Sequence, residues 1–252
     1  MKAGKEGILF TVATIGLTLL AGYYLGKLLR VDEKTSQLIA NGTAICGGSA
    51  IAAVAPIIRA SAEQISVALG TVFILNSIAL FVFPPLGHMM GMSATQFGTW
   101  CAIAIHDTSS VVGAAAGYKD INGNEALGIA ATIKLERALW IIPISLATAT
   151  FQKSTGKIKL PWFILWFVAA IVISTYLPTY ITQLQEKFGG ATLFQHFYTL
   201  GRKGLVVTLF LIGSGLSVSA IRAVGFKPML QGILLWVLIG LTSLAAIIAF
   251  VR

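Results

Sequence analysis

The stretch "SQLIANGTAICGGSAIAAVAPIIRA" at residues 36–60 decides the fold. It is long enough to cross a bilayer, which takes roughly 20 apolar residues, yet "GTAICGGSA" at its centre holds three glycines. Glycine inside a helix costs about 1 kcal/mol relative to alanine, and unwound backbone is tolerated at membrane depth only where protein or a wet cavity satisfies it. We therefore predict two half-helices, the second capped by Ser49 and offering its free N–H groups to an anion. Alternatively, the small residues only let another helix pack closely.

The composition places this stretch in a membrane protein. The 252 residues are 56% hydrophobic and only 11% charged, where soluble domains carry about 25% charged residues. No Lys, Arg, Asp or Glu occurs between Gln64 and His106. The net charge of +9 is then loop charge that sets orientation, and it does not predict nucleic acid as a partner. Cys46 and Cys101 lie in apolar segments and predict neither a metal site nor a disulfide.

Charges and helix breakers divide the chain into eight predicted helices, all of them membrane segments of a single domain. The third is predicted to end at the paired prolines of "FPPLGH", and residues 128–137 are amphipathic and predicted to lie partly at the interface. The eight ranges are 7–28, 35–59, 65–84, 96–118, 124–151, 161–181, 191–221 and 228–251.

Basic residues and a short repeat predict the orientation and the architecture. Three basic clusters, at residues 27–34, 153–159 and 222–227, fall on one side, which the positive-inside rule makes cytoplasmic. "IGLTLLA" at 15–21 is echoed by "IGLTSLA" at 239–245, in a helix of opposite direction. Inverted repeats are typical of secondary transporters. We therefore divide the domain into a first-repeat portion, 1–151, and a second-repeat portion, 152–252.

Two further segments are interrupted by polar or small residues. "TWCAIAIHDTSSVVGAAAGY" (99–118) places ionisable side chains inside an apolar span, where such residues are functional candidates by default. The alternative is that Asp107 or Thr108 merely caps a half-helix. "FLIGSGLSVSAIR" (210–222) is the third interruption, and interrupted segments in both halves point to a binding site at mid-membrane.

"ATIKLERALW" at 131–140 brings Lys134 and Arg137 onto one helical face. They are either an interfacial basic pair at a helix start or a pair that attracts the substrate. The sequence has no phosphate-binding loop, dinucleotide fingerprint, zinc spacing or nucleophile elbow. It therefore predicts no enzyme and no cofactor.

The run "NGTAICGGSAIAAVAPIIRA", followed about 50 residues later by "IHDTSSVVGAAAG", resembles the YeiH-like sulfate exporters of bacterial inner membranes. The likeness continues through "KLERALWIIPISL" and "GLSVSAIRAVGFKPML" and covers nearly the whole chain. Members of that family have further helices in front, so the chain resembles one that lacks its first two or three helices. The resemblance implies a multi-pass inner-membrane protein and sulfate as the solute.

These observations together predict an all-α secondary transporter of a small anion, such as sulfate or a related sulfur oxyanion. One alternative is an exchanger coupled to protons or sodium, with Asp107 carrying the ion. Another is a membrane scaffold that transports nothing. A homo-oligomer in the lipid bilayer is left open. The predicted substrate-binding residues are Gly42, Thr43, Cys46, Gly47, Gly48, Ser49, His106, Asp107, Thr108, Ser109, Lys134, Arg137, Gly213, Ser214 and Gly215.

Overall fold

The structure is a computed structural model that describes residues 2–151 and 224–251, a few scattered residues between these ranges, and side chains from Thr11 onward. The predicted helices 161–181 and 191–221 lie almost wholly outside the described residues. The predicted site residues Gly213, Ser214 and Gly215 lie outside them as well.

The described chain is built of α-helices, as the sequence predicts. Three of its segments are long and apolar enough to span a membrane: residues 11–29 of α1, all of α4 and all of α9. The helices are α1 (Lys2–Leu29), α2 (Glu33–Ala44), α3 (Gly48–Val54), α4 (Ala62–Met89), α5 (Ala94–Ala104), α6 (Thr108–Ala116), α7 (Leu127–Ala138), α8 (Ile141–Phe151) and α9 (Phe226–Phe250).

Helices α2 and α3 form a re-entrant hairpin, called here the first hairpin, and the prediction of one span over 35–59 is wrong. Gly42 of α2 packs against Ile51 of α3. Lys34 Nζ, at the start of the hairpin, donates to the carbonyl oxygen of Arg59 at its end, over 2.8 Å. At 1.5 Å per residue, the 12 residues of α2 cover only about 18 Å of the roughly 30 Å hydrocarbon core. The chain therefore turns at mid-depth and leaves by the face it entered.

Helices α5 and α6 form the second hairpin, so the prediction of a span over 96–118 is also wrong. Tyr118, beyond α6, stacks on Phe97 of α5 with ring centroids 3.7 Å apart and donates its hydroxyl to the carbonyl of Met92 over 2.6 Å. The start and end of this hairpin therefore lie together. Since α4 has 28 residues, is long and apolar enough to span a membrane and separates the two hairpins in the chain, we infer that they enter from opposite faces.

Helix α4 runs through Pro84 and Pro85 to Met89, so the prediction that this pair ends the helix is wrong. The two prolines lie in its last two turns, and each lacks the N–H that would bond the carbonyl four residues earlier, that of Leu80 or Phe81. The final turn is held by packing, because Gly87 lies directly against the rings of Phe97 and Tyr118.

The remaining described helices connect the two faces. Gly98 of the second hairpin packs against the start of α7. The end of α8 lies beside α1, and the two helices line a cavity of about 660 Å³ to which Phe151 of α8 and Lys27 of α1 contribute. Helix α9 runs from the face of the first hairpin to the face of the second, in the direction opposite to α7 and α8. At its start Gln231 donates to Ser36 Oγ over 2.7 Å, and just beyond its end the carbonyl of Val251 accepts from Gln96 over 2.8 Å. Each hairpin is thus followed by a segment that leads to the opposite face.

Candidate functional site

The tips of the two hairpins meet in the middle of the protein. We call residues 45–47 the first tip and residues 105–107 the second tip. Gly47 has a φ of +66°, and a Cβ added to it would lie 3.2 Å from Asp107 Cβ and 3.3 Å from Asp107 N. Only glycine combines this backbone conformation with so close an approach. Both predicted breaks are therefore present, and they lie against each other.

Asp107 caps α6, as one of the two interpretations of the sequence predicts. Its Oδ1 accepts from the Ser110 N–H over 2.6 Å and from the Ser109 hydroxyl over 2.8 Å. Its Oδ2 accepts from Asn76 Nδ2 over 2.5 Å and from the Ser110 hydroxyl over 3.0 Å. The side chain is buried, and four donors surround the carboxylate.

Asn76, near the midpoint of α4, ties the second tip to this helix. Its Oδ1 accepts from the His106 N–H over 3.0 Å and lies 3.1 Å from His106 Nδ1, while its Nδ2 donates to Asp107. Sequence reasoning missed Asn76. The available signal was an asparagine within the uncharged run 65–105, because a polar side chain at membrane depth needs a partner.

Lys134 of α7 joins the two tips. Its side chain is 0% exposed, and its Nζ donates to the carbonyls of Ile105 over 2.6 Å, of Ile45 over 3.3 Å and of Ala102 over 3.3 Å. These carbonyls belong to the C-terminal ends of α2 and α5, which have no further helical turn to bond them. The ammonium therefore satisfies backbone that the breaks leave open.

Arg137 lies one turn further along α7 and is also buried, at 1% exposure. Its Nη2 donates to the carbonyl of Ala44 over 2.6 Å and its Nη1 to Thr14 Oγ1 over 3.0 Å. Its Nε has no hydrogen-bond partner among the described residues. The interpretation of Lys134 and Arg137 as an interfacial pair is therefore wrong. The role of Thr14 was missed, although Thr11, Thr14 and Thr18 are spaced along one face of α1.

The other predicted site residues divide by exposure. Gly42, Thr43 and Cys46 are buried in the first hairpin. Gly48 is half-buried against Phe73 of α4. The prediction that Ser49 caps the second half-helix is wrong. Gly47 holds the cap position of α3 without a side-chain cap, because Ser49 comes two residues later and is exposed.

Two buried hydroxyl groups also lack hydrogen-bond partners among the described residues. Thr43 precedes Ala44 in α2, and Ser145 lies in α8; both side chains are buried, and neither hydroxyl has a hydrogen-bond partner in the described part of the chain. His106 Nε2 is likewise buried without a partner there. No group of three His, Cys, Asp or Glu side chains within the described ranges is arranged to hold a metal ion.

A charge count at the tips leaves one positive charge in excess. Each helix end carries about half a unit of charge, positive at the N-terminus and negative at the C-terminus. Lys134 balances the two C-termini that meet here, those of α2 and α5. Asp107 balances the N-termini of α3 and α6. The positive charge of Arg137 has no ion-pair partner among the described residues, whose salt bridge joins Lys119 to Glu125 at the surface.

Comparison with known proteins gives this arrangement a context. Residues 1–232 match the family described as Conserved hypothetical protein 698. The chain is 53% identical over 249 residues to a UPF0324 membrane protein of Bacteroides thetaiotaomicron, covering 98% of this chain and 72% of that protein. It is 52% identical to a UPF0324 membrane protein of Photobacterium profundum, with the same coverage. A third relative, from Bdellovibrio bacteriovorus, is 45% identical, over 98% of this chain and 74% of its own length. No solved structure matches significantly.

Proposed function

This chain belongs to the UPF0324 (Conserved hypothetical protein 698) family of multi-pass bacterial membrane proteins, and we propose that it is a secondary transporter of a small anion such as sulfate or a related sulfur oxyanion. Family membership agrees with the resemblance predicted from the sequence. Transport and the choice of anion are the proposal.

The arrangement of the hairpins supports transport. Non-helical backbone is tolerated at membrane depth where it is buried in protein or lines a cavity, and discontinuous helices form the mid-membrane binding sites of many secondary transporters. Here two discontinuous elements enter from opposite faces and meet at Gly47 and Asp107. A site at their junction lies at about equal depth from both faces, as alternating access requires.

The observation that carries the choice of an anion is the buried guanidinium of Arg137. A buried charge without a counter-charge is costly, and an anion in contact with it would remove that cost. Arginine also binds planar and tetrahedral oxyanions through paired N–H groups, and Nε is unpartnered in the described part of the chain. The hydroxyl of Thr43, the neighbour of Ala44, is unpartnered in the described part of the chain and is a further potential donor.

The proton-coupled alternative has less support. A carboxylate that carries protons needs an oxygen that is free to accept one, whereas four donors occupy both oxygens of Asp107. We therefore assign Asp107 to holding the second tip in place.

Binding of radiolabelled sulfate, sulfite and thiosulfate to the purified protein tests the proposal. We expect saturable binding by the wild type, loss of binding in Arg137→Gln and partial retention in Arg137→Lys, which keeps the charge. Lys119→Gln removes a surface cation paired with Glu125 and is the control for net charge, so it should bind as the wild type does. Size-exclusion chromatography shows that each variant is folded. The proposal fails if no oxyanion binds to the wild type, or if Arg137→Gln binds as well as Lys119→Gln does.

A further inference from the structure

The second buried cation, Lys134, has surroundings that differ from those of Arg137. Arg137 Nε is unpartnered in the described chain, whereas the Lys134 ammonium has as many carbonyl acceptors as it has protons to donate. Those acceptors are the backbone carbonyls of Ile45, Ala102 and Ile105. A ring of carbonyl oxygens at the ends of broken helices is the kind of site in which transporters hold a coupling cation.

We propose that the two tips form a binding site for a monovalent cation, and that the Lys134 ammonium occupies it as a tethered ion. The ligands are main-chain oxygens from both hairpins, so the site exists only when the tips are together. The C-termini of α2 and α5 carry about one negative unit between them, which a single positive charge neutralises. This protein therefore needs no sodium or potassium ion from solution to hold its tips together.

The position of Lys134 explains how a side chain fills such a site. Helix α7 begins against Gly98 of the second hairpin, and Lys134 lies two turns further in. Its side chain is 0% exposed along its whole length, so the four methylenes occupy a channel within the protein. Removing those atoms beyond Cβ leaves a space that matches n-propylammonium, which consists of three carbons and the ammonium group.

Chemical rescue of Lys134→Ala tests the inference. We expect the variant to melt well below the wild type in detergent. Millimolar n-propylammonium chloride should restore at least half of the lost melting temperature, because a ligand that binds only the folded state stabilises it. Tetramethylammonium chloride at the same ionic strength has no N–H donors and should restore nothing. Neutral n-propanol should restore nothing either, because it lacks the charge.

Lys134→Met is the matched control. Methionine fills the channel without the charge, so this variant should be destabilised and should not respond to n-propylammonium. The inference is overturned if Lys134→Ala shows no response, or if Lys134→Met responds to the same extent.

A measurement on the wild type covers the case in which neither variant folds. Replacing all sodium and potassium by choline should leave the melting temperature of the wild type unchanged, and a sodium- or potassium-dependent melting temperature would overturn the inference. These readouts use no oxyanion. They can succeed when the binding test with Arg137 variants fails, and they can fail when that test succeeds.

Discussion

Replacing Asn76 by leucine tests whether the amide bridge to the second tip holds the junction together. The substitution keeps the size of the side chain and removes both of its hydrogen-bonding groups. It leaves the buried His106 N–H without an acceptor, which costs about 1–3 kcal/mol, and it removes a bond to the Asp107 carboxylate worth about 1.5–3 kcal/mol. The structure therefore predicts a loss of about 2.5–6 kcal/mol in the free energy of unfolding.

A competing estimate comes from membrane helices in general. Hydrogen bonds between them contribute about 0.6 kcal/mol each on average, so two ordinary bonds would be worth only about 1.2 kcal/mol. The higher figure applies here because a main-chain N–H at a helix break loses its acceptor and cannot turn to another without moving the tip. The bond lost by the carboxylate, which keeps its other three donors, is charge-assisted and therefore stronger than an ordinary one.

The assay is unfolding by SDS in mixed micelles, followed by tryptophan fluorescence, with Asn41→Leu as the matched control. Asn41 is also a buried asparagine, but its Nδ2 bonds to the carbonyl of Gln37 within its own helix, over 2.7 Å. Losing such a bond should cost about 1 kcal/mol or less. If Asn76→Leu is destabilised by no more than about 1.2 kcal/mol, the cost is that of two ordinary bonds and our account of the bridge is wrong.

Three further predictions concern the first hairpin. Gly47→Ala should destabilise the protein strongly, because of its positive φ and the contact with the second tip; Gly48→Ala, whose Cβ would meet only side chains at 3.3 Å or more, should be tolerated, and equal melting temperatures would contradict this. In a cysteine-free background, Glu33→Cys and Glu63→Cys should react with a membrane-impermeant maleimide from the same face of the membrane. A cysteine between α6 and α7 should react from the other face. Labelling of the first two variants from opposite faces would show that residues 35–59 span the membrane. The Thr35 N–H holds the pKa of Asp32 below its usual range, so the stabilisation of the fold by this hydrogen bond is present above the ordinary pKa of aspartate and is lost as pH falls through the lowered pKa. Asp32→Asn, which caps about equally well, should flatten the resulting fall of the melting temperature in an acid titration. An unchanged profile would exclude Asp32 as the source of that fall.

The features that the sequence predicts correctly are those decided locally. The glycines at 47 and 48 predict a break, because glycine weakens a helix wherever it occurs. An aspartate followed by Ser109 and Ser110 predicts a cap, because the donors lie within three residues of the acceptor. Hydropathy predicts the membrane class for the same reason.

The errors come from features decided by distant residues. A 25-residue apolar stretch with a central break has the same composition whether the chain continues through the membrane or turns back. The choice between these paths depends on contacts such as Lys34 with Arg59 and Tyr118 with Phe97. The burial of Lys134 and Arg137 depends on carbonyls about 30 to 90 residues earlier in the chain. Their spacing in α7 shows that they share a face, and only the packed tips show what that face contacts.

The distance in sequence between the first tip and its cations has a consequence for biosynthesis. Arg137 binds the carbonyl of Ala44 and lies 93 residues after it in the chain. At 5–20 residues per second, the ribosome therefore adds Arg137 about 5–20 s after Ala44. During that time the carbonyls of the first tip have no protein partner from α7, and a bare break in lipid is costly. We therefore expect the nascent first hairpin to stay at the membrane surface or beside the insertion machinery, and to enter the bilayer only after α7 has been made.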